Sequence, residues 1–167
     1  MYQIQTQELL NRVVTNSERV DFSSTDPYGH LSTCRYLEYF VNHRITAIED
    51  EIGFATMSFA KEHQIGLFFA KSELHFLRQA ILGEKIMISS WVQSIHESGF
   101  QVTGIVYGGQ KRDVKAIIKA EIRSVSLLTG KSTLLPNSFA ASSETLIKAL
   151  PLASSFIQDF KIPQGLI

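Results

Sequence analysis

With 167 residues, the chain can bury one sizeable core and is short for two ordinary domains. Its 44% hydrophobic and 19% charged residues exclude a disordered or fibrous polymer. Sixteen Lys and Arg balance sixteen Asp and Glu, so no net field draws the chain to nucleic acid or an anionic membrane, and any anionic ligand must be met locally. Cys34 is the lone cysteine, which rules out an intrachain disulfide or a thiolate metal cluster within one chain and fits a reducing, cytoplasmic setting. The stretch from Met1 to Leu10 has no basic start before an apolar run, and no segment approaches the roughly 20 apolar residues of a membrane helix. Neither a secretory leader nor membrane insertion is expected.

In chain order, Arg19 to Phe22 reads as a short first strand, and Ser23 to His30 as a turn-rich loop with breakers at Asp26-Pro27 and Gly29. Leu37, Phe40, Val41, Ile45, Ile48 and Ile52 then recur at spacings of three and four, which predicts a helix of about 18 residues with one apolar stripe. Ser32 or Thr33 is placed to cap its start, and Gly53 stands at its C-terminal stop. A shorter helix is expected over Thr56 to Glu62. From Ile65 the period changes to two, and Leu67 to Leu77, Glu84 to Ile95, Phe100 to Tyr107 and Val114 to Leu128 read as strands. The short links His96 to Gly99 and Gly108 to Asp113 read as hairpin loops, giving an antiparallel meander. A long helix ahead of such strands has one large apolar surface to bury against, so the expected class is α+β with the sheet wrapped around the helix. Residues 1–140 form this domain in our reading. Residues 141–167 form a C-terminal extension in which Ser142 to Leu150 reads as a helix broken by Pro151.

The segment Asp26-Pro-Tyr-Gly-His-Leu-Ser-Thr-Cys-Arg-Tyr36, leading into that helix, resembles the 4-hydroxybenzoyl-CoA thioesterase family of hot-dog proteins. The family pattern of Asp, two variable positions, Gly, and a Tyr about seven residues later is matched by Asp26, Gly29 and Tyr36. The likeness spans roughly residues 18 to 140 and includes the Thr129-Gly-Lys ending with its Leu135-Pro136. The resemblance implies a homodimer, or a homotetramer built from it, with sheets joined edge to edge and active sites between subunits. It implies an acyl-CoA or acyl-carrier thioester substrate, with no separate cofactor because CoA is part of the substrate. Asp26 takes the place of the nucleophile or general base, and the Thr33 amide that of the donor polarising the thioester carbonyl. Many relatives read His-Val-Asn-Asn where this chain has His30-Leu-Ser-Thr33, and plant acyl-carrier-protein thioesterases carry an Asn where Tyr28 stands. Both departures bear on substrate class.

Chemistry points to the same place. Hydrolysis of a thioester needs a base or nucleophile on one side of the carbonyl and hydrogen-bond donors for the developing oxyanion on the other. A carboxylate beside a helix N-terminus supplies both. The structural alternative for Asp26 is an Asx-type turn before Pro27. His30 is a candidate for orienting that carboxylate, and Tyr28, Gly29 and Tyr36 for shaping the pocket. Arg78, Lys85, Lys111 and Arg112 are candidates for CoA phosphates, against the commoner role of charged turns in solubility. Glu38 and Glu49 offer a rival catalytic carboxylate on the helix, while Lys71, Glu73 and His75 read as the solvent side of a strand. No metal ligand set, phosphate loop or nucleic-acid motif is present. The expected activity is acyl-CoA thioester hydrolysis; the alternatives are an acyl-carrier thioesterase, a non-catalytic acyl-binding protein or a hot-dog dehydratase.

Overall fold

The apolar stripe that starts near Leu37 produces one helix, α1, running unbroken from Thr33 to Ile52 in three segments. Thr33–Asn42 is α-helical, His43–Ala47 is π-helical and Ile48–Ile52 is α-helical again. The computed structural model describes residues 13–110, 113–140 and 155–167. The helix expected over 142–150 and the cations Lys111 and Arg112 lie outside the described residues. Gly53 closes α1 in the left-handed region at φ 73°, the conformation that favours glycine there. Ser32 occupies the N-cap position but makes no side-chain capping bond, so the expected hydroxyl cap is absent.

The π segment accounts for a second departure. A wider turn rotates the following residues relative to the stripe. Phe40 and Ile48 remain buried, His43 and Arg44 turn inward between them, and Ile45, expected in the stripe, is 43% exposed. Tyr36 and Ala47 complete the buried side.

Five antiparallel strands form one sheet: β1 (Val14–Arg19), β2 (Ile65–Phe76), β3 (Lys85–His96), β4 (Gly99–Tyr107) and β5 (Val114–Ser126). Their order is β1-β3-β4-β5-β2. The meander therefore holds for β3 to β5, whereas β2 crosses to the far edge and pairs with β5. The first strand lies earlier than expected. Asp21 accepts the Ser24 N–H and bends Phe22–Ser24 into a 3-10 turn, which ends the extended backbone before the predicted segment is complete. Helix α2 spans Thr56–His63 and a short α3 spans Asn137–Ala140.

In β2 a bulge between Phe69 and Lys71 breaks strict alternation. Phe69 and Leu74 can thus both pack on the core while Lys71 and Glu73 face outward, although their separations are incompatible with one unbroken period. The inner face carries Ile86, Ile88, Val102, Val106, Ile118 and Ile122 against α1. Phe40 crosses β4 at Gly104, where a Cβ would fall inside van der Waals contact of the ring. On the outer face, Phe156 and Phe160 of the C-terminal segment pack on Trp91, Ile105, Tyr107 and Ile117.

The inward turn of the π segment is satisfied by a buried polar chain. His43 Nδ1 lies 2.7 Å from Asn16 Oδ1, and its Nε2 lies 2.8 Å from Ser90 Oγ, which also accepts from Arg44 Nη1 at 3.1 Å. The set closes when His43 is neutral, with Nδ1–H donating to Asn16 and Ser90 O–H donating to Nε2. Burial, and then the neighbouring Arg44 charge, push the His43 pKa down to about 3. A base with a depressed folded pKa contributes stability above its unfolded value, 6.5, and loses it as pH falls from there towards 3. Between about pH 7.5 and about pH 5.5 this group alone should cost on the order of 1 kcal/mol. Urea unfolding at the two pH values checks this against His43→Gln, which should show a correspondingly smaller loss; equal losses would assign the pH dependence elsewhere.

Candidate active site

The loop from Thr25 to Leu31 is shaped by its own short polar side chain. Asp26 Oδ1 accepts the N–H groups of Tyr28 at 2.9 Å and His30 at 3.0 Å, and the backbone closes a turn from Gly29 N to Asp26 O. Gly29 sits at φ 78°, which a side chain rarely tolerates. This is an Asx turn, and it spends only one carboxylate oxygen. Oδ2 remains 3.9 Å from His30 Nδ1.

A second set of bonds ties this loop to the β2–β3 connection. Leu31 N donates to Ala80 O and Leu82 N to Gly29 O, while Ala80 N donates to the Tyr36 hydroxyl at 3.1 Å. Tyr36 is 3% exposed and meets Phe76 edge-on with ring centroids 5.2 Å apart. Its oxygen is thus committed as an acceptor, so Tyr36 shapes the cleft through its ring and this anchor. Burial raises its pKa, so its O–H is retained.

Lys115 holds the same connection from the β5 side. Its ammonium lies 2.8 Å from Glu84 and 2.9 Å from Asp113 and donates to Gln79 O at 3.1 Å, while its carbonyl accepts from Leu77 N and Arg78 N. Burial opposes its charge, but the Glu84 and Asp113 hydrogen bonds outweigh that and raise its pKa. A lysine in a strand reads as a solvent-facing residue, so nothing in the chain's periodicity marks this role.

The result is a cleft of about 610 Å3 whose lining includes Asp26, His30, Thr33, Tyr36 and Arg78, five of the residues singled out from the sequence. Leu31, Phe76, Leu77 and Gln79 complete the lining and were not singled out. Thr33 stands at the first turn of α1, and among the described residues no acceptor takes its N–H. Arg78 lies at the rim with its side chain 62% exposed, 3.4 Å from Asp113. Tyr28 is 84% exposed with its ring 6.4 Å from that of His30, outside the lining, and Gly29 contributes its backbone turn. Lys85 is exposed and outside the lining as well. Glu38 pairs with Arg35 at 2.6 Å, and neither it nor Glu49 lines the cleft. Among the described residues there is no cluster able to hold a metal ion and no helix long and apolar enough to cross a membrane.

Comparison with known proteins agrees with this architecture. The probable thioesterase YbaW from Escherichia coli superimposes with a TM-score of 0.67 at 18% identity, over 80% of this chain and 98% of that one. The DHNA-CoA thioesterase from Staphylococcus aureus superimposes with a TM-score of 0.71 at 15% identity, over 86% of this chain and 95% of that one. The protein SAV2348 from Staphylococcus aureus, solved in complex with CoA, gives 0.69 at 12% identity over 84% and 87%. No curated protein matches in sequence. The model of the thioesterase-like superfamily matches residues 20–142, from the turn before Asp26 to beyond the last strand. The chain therefore belongs to the thioesterase-like superfamily, a family of thioester hydrolases, and carries its hot-dog fold.

Proposed function

We propose that the chain hydrolyses acyl-CoA thioesters in the Asp26 cleft. The observation that carries this reading is the pairing of a half-committed carboxylate with an unspent helix N–H on one cleft wall. The thioester oxygen sits at the Thr33 amide, where the positive end of α1 favours the charge that develops on attack. Asp26 Oδ2 either takes a proton from the attacking water or attacks the carbonyl carbon itself; in both cases the C–S bond breaks with the thiolate of CoA as leaving group, and in the second a water then cleaves the acyl-aspartyl anhydride to release the acid and restore the carboxylate. The two backbone N–H groups on Oδ1 keep the other oxygen aimed. His30 orients the carboxylate or the water, and Arg78 at the rim meets the phosphates of CoA, as its exposure allows. The neighbour solved with CoA supports that choice of thiol carrier.

The open edge of the sheet supports a dimer. β2 is a 12-residue edge strand, and Phe68 and Phe76 on it are 51% and 48% exposed. Phe76 also lines the cleft, so a second copy aligned along β2 would complete the cleft wall. Light scattering should give a native mass of two chains, and Phe68→Lys should shift it towards one; a monomeric wild-type protein with full activity would refute the shared cleft.

Two substitutions test the chemistry. Asp26→Asn keeps a carbonyl acceptor for the loop amides and should lower kcat about 10²–10⁴-fold with an unchanged melting temperature. Wild-type turnover across a panel of acyl-CoA thioesters, read as free thiol, would eliminate Asp26 from the mechanism. Thr33 occupies the first helical position, where proline is well tolerated, and Ser32 before it is extended at φ −60° and ψ 143°. Thr33→Pro should therefore retain the helix, delete the proposed donor and cost about 10²–10³ in kcat. Unimpaired turnover by a folded Thr33→Pro protein would show that the oxyanion is met elsewhere.

A further inference from the structure

Away from the cleft, a second cavity of about 130 Å3 lies between α1 and the sheet, and the two share no lining residue. Its walls are mostly apolar, formed by Ile45, Ile48, Phe54, Leu67, Phe69 and neighbours, with Thr56 the one neutral polar residue and Arg44 the one charged one. Arg44 lines it while being only 8% exposed. A guanidinium carries five N–H donors. Among the described residues this one meets a single acceptor, Ser90 Oγ, and no carboxylate lies within ion-pair distance. Beside it His43 shares the same Ser90 hydroxyl and, as a neutral imidazole, brings no negative charge. Burial pushes the Arg44 pKa down to about 9, so the group is still charged at neutral pH.

A buried charge without a counter-ion is costly, and the cost falls when an anion with hydrogen-bond acceptors arrives. The π segment that turns Arg44 inward is a device seen often at functional sites. We infer that this pocket binds a small carboxylic acid with an apolar body, its carboxylate on the Arg44 guanidinium and its hydrocarbon part against Ile45, Ile48 and Phe69. An engineered cavity of about 150 Å3 accommodates benzene, so a pocket of about 130 Å3 is of the scale of a small hydrocarbon body, with the carboxylate group placed at Arg44. Planar two-point pairing of guanidinium and carboxylate supplies the preference for an acid over its neutral analogue. The inference stands apart from the thioesterase reading, because neither Asp26 nor Thr33 takes part.

Titration calorimetry of the full chain near neutral pH with benzoate, benzamide, hexanoate and hexanamide tests it. Each acid should bind at least about tenfold more tightly than its amide. Ile45→Trp, made at a residue already partly exposed on the rim, should fill the pocket and remove binding without lowering the melting temperature. Asp26→Asn should leave the affinity unchanged. Arg44→Met should abolish the preference for acid over amide, and if that variant does not fold, Ile45→Trp alone decides. Equal affinity for acid and amide, no binding of either acid, or binding lost in Asp26→Asn and kept in Ile45→Trp would each overturn the proposal.

Discussion

The ring of Phe40 rests where a side chain at position 104 would be, and that close approach of helix to strand sets the distance at which α1 lies in the sheet. A fully buried phenyl over a glycine brings the helix against β4, so the inward-facing residues of β3, β4 and β5 all reach it. With the helix axis fixed, its first turn emerges beside the β2–β3 connection. Tyr36, one turn before Phe40, then anchors Ala80 by a hydrogen bond, and Ala80 in turn accepts from Leu31. The Asp26 loop is thus positioned by a relay that begins in the core.

Polar groups do the remaining positioning, and they are layered by depth. Lys115, largely buried, gathers Glu84, Asp113 and the Gln79 carbonyl beneath the cleft wall. Asp26, one-third exposed, organises its own loop by accepting from the backbone. The Asx turn and the catalytic reading, which compete when the residues are considered alone, are compatible in space because each uses a different oxygen. Holding Oδ1 in the turn leaves Oδ2 for the proposed chemistry.

Much of the fold is legible in the residues, and the departures have local causes. The helix, its glycine stop, α2, four strands and both hairpin links follow from periodicity and breakers. Strand β1 is displaced because Asp21 captures the Ser24 amide, a short-range competitor that an alternation pattern does not register. The place of β2 at the far edge depends on pairing between distant strands, which a local pattern cannot carry. At the site, Asp26, His30, Thr33, Tyr36 and Arg78 converge in one cleft, while Tyr28 points to solvent and Lys85 stands apart. Lys115, His43 and Arg44 were missed for one shared reason: polar side chains in a strand or helix read as the wet face, and here a π turn and an ion cluster bring them inside.

The C-terminal residues have a consequence for how copies of the chain can associate. Phe156 and Phe160 roof the oily half of the convex surface over Trp91 and Tyr107, and what stays open beside them is a carpet of Lys71, Glu73, Gln93, Gln101, Lys119 and Glu121. Back-to-back stacking of two such molecules would have to peel that roof away or bury a mixture of unlike charges. An assembly of the kind proposed above would therefore grow at the rim of the sheet, where β2 is the edge strand, rather than across its outer face.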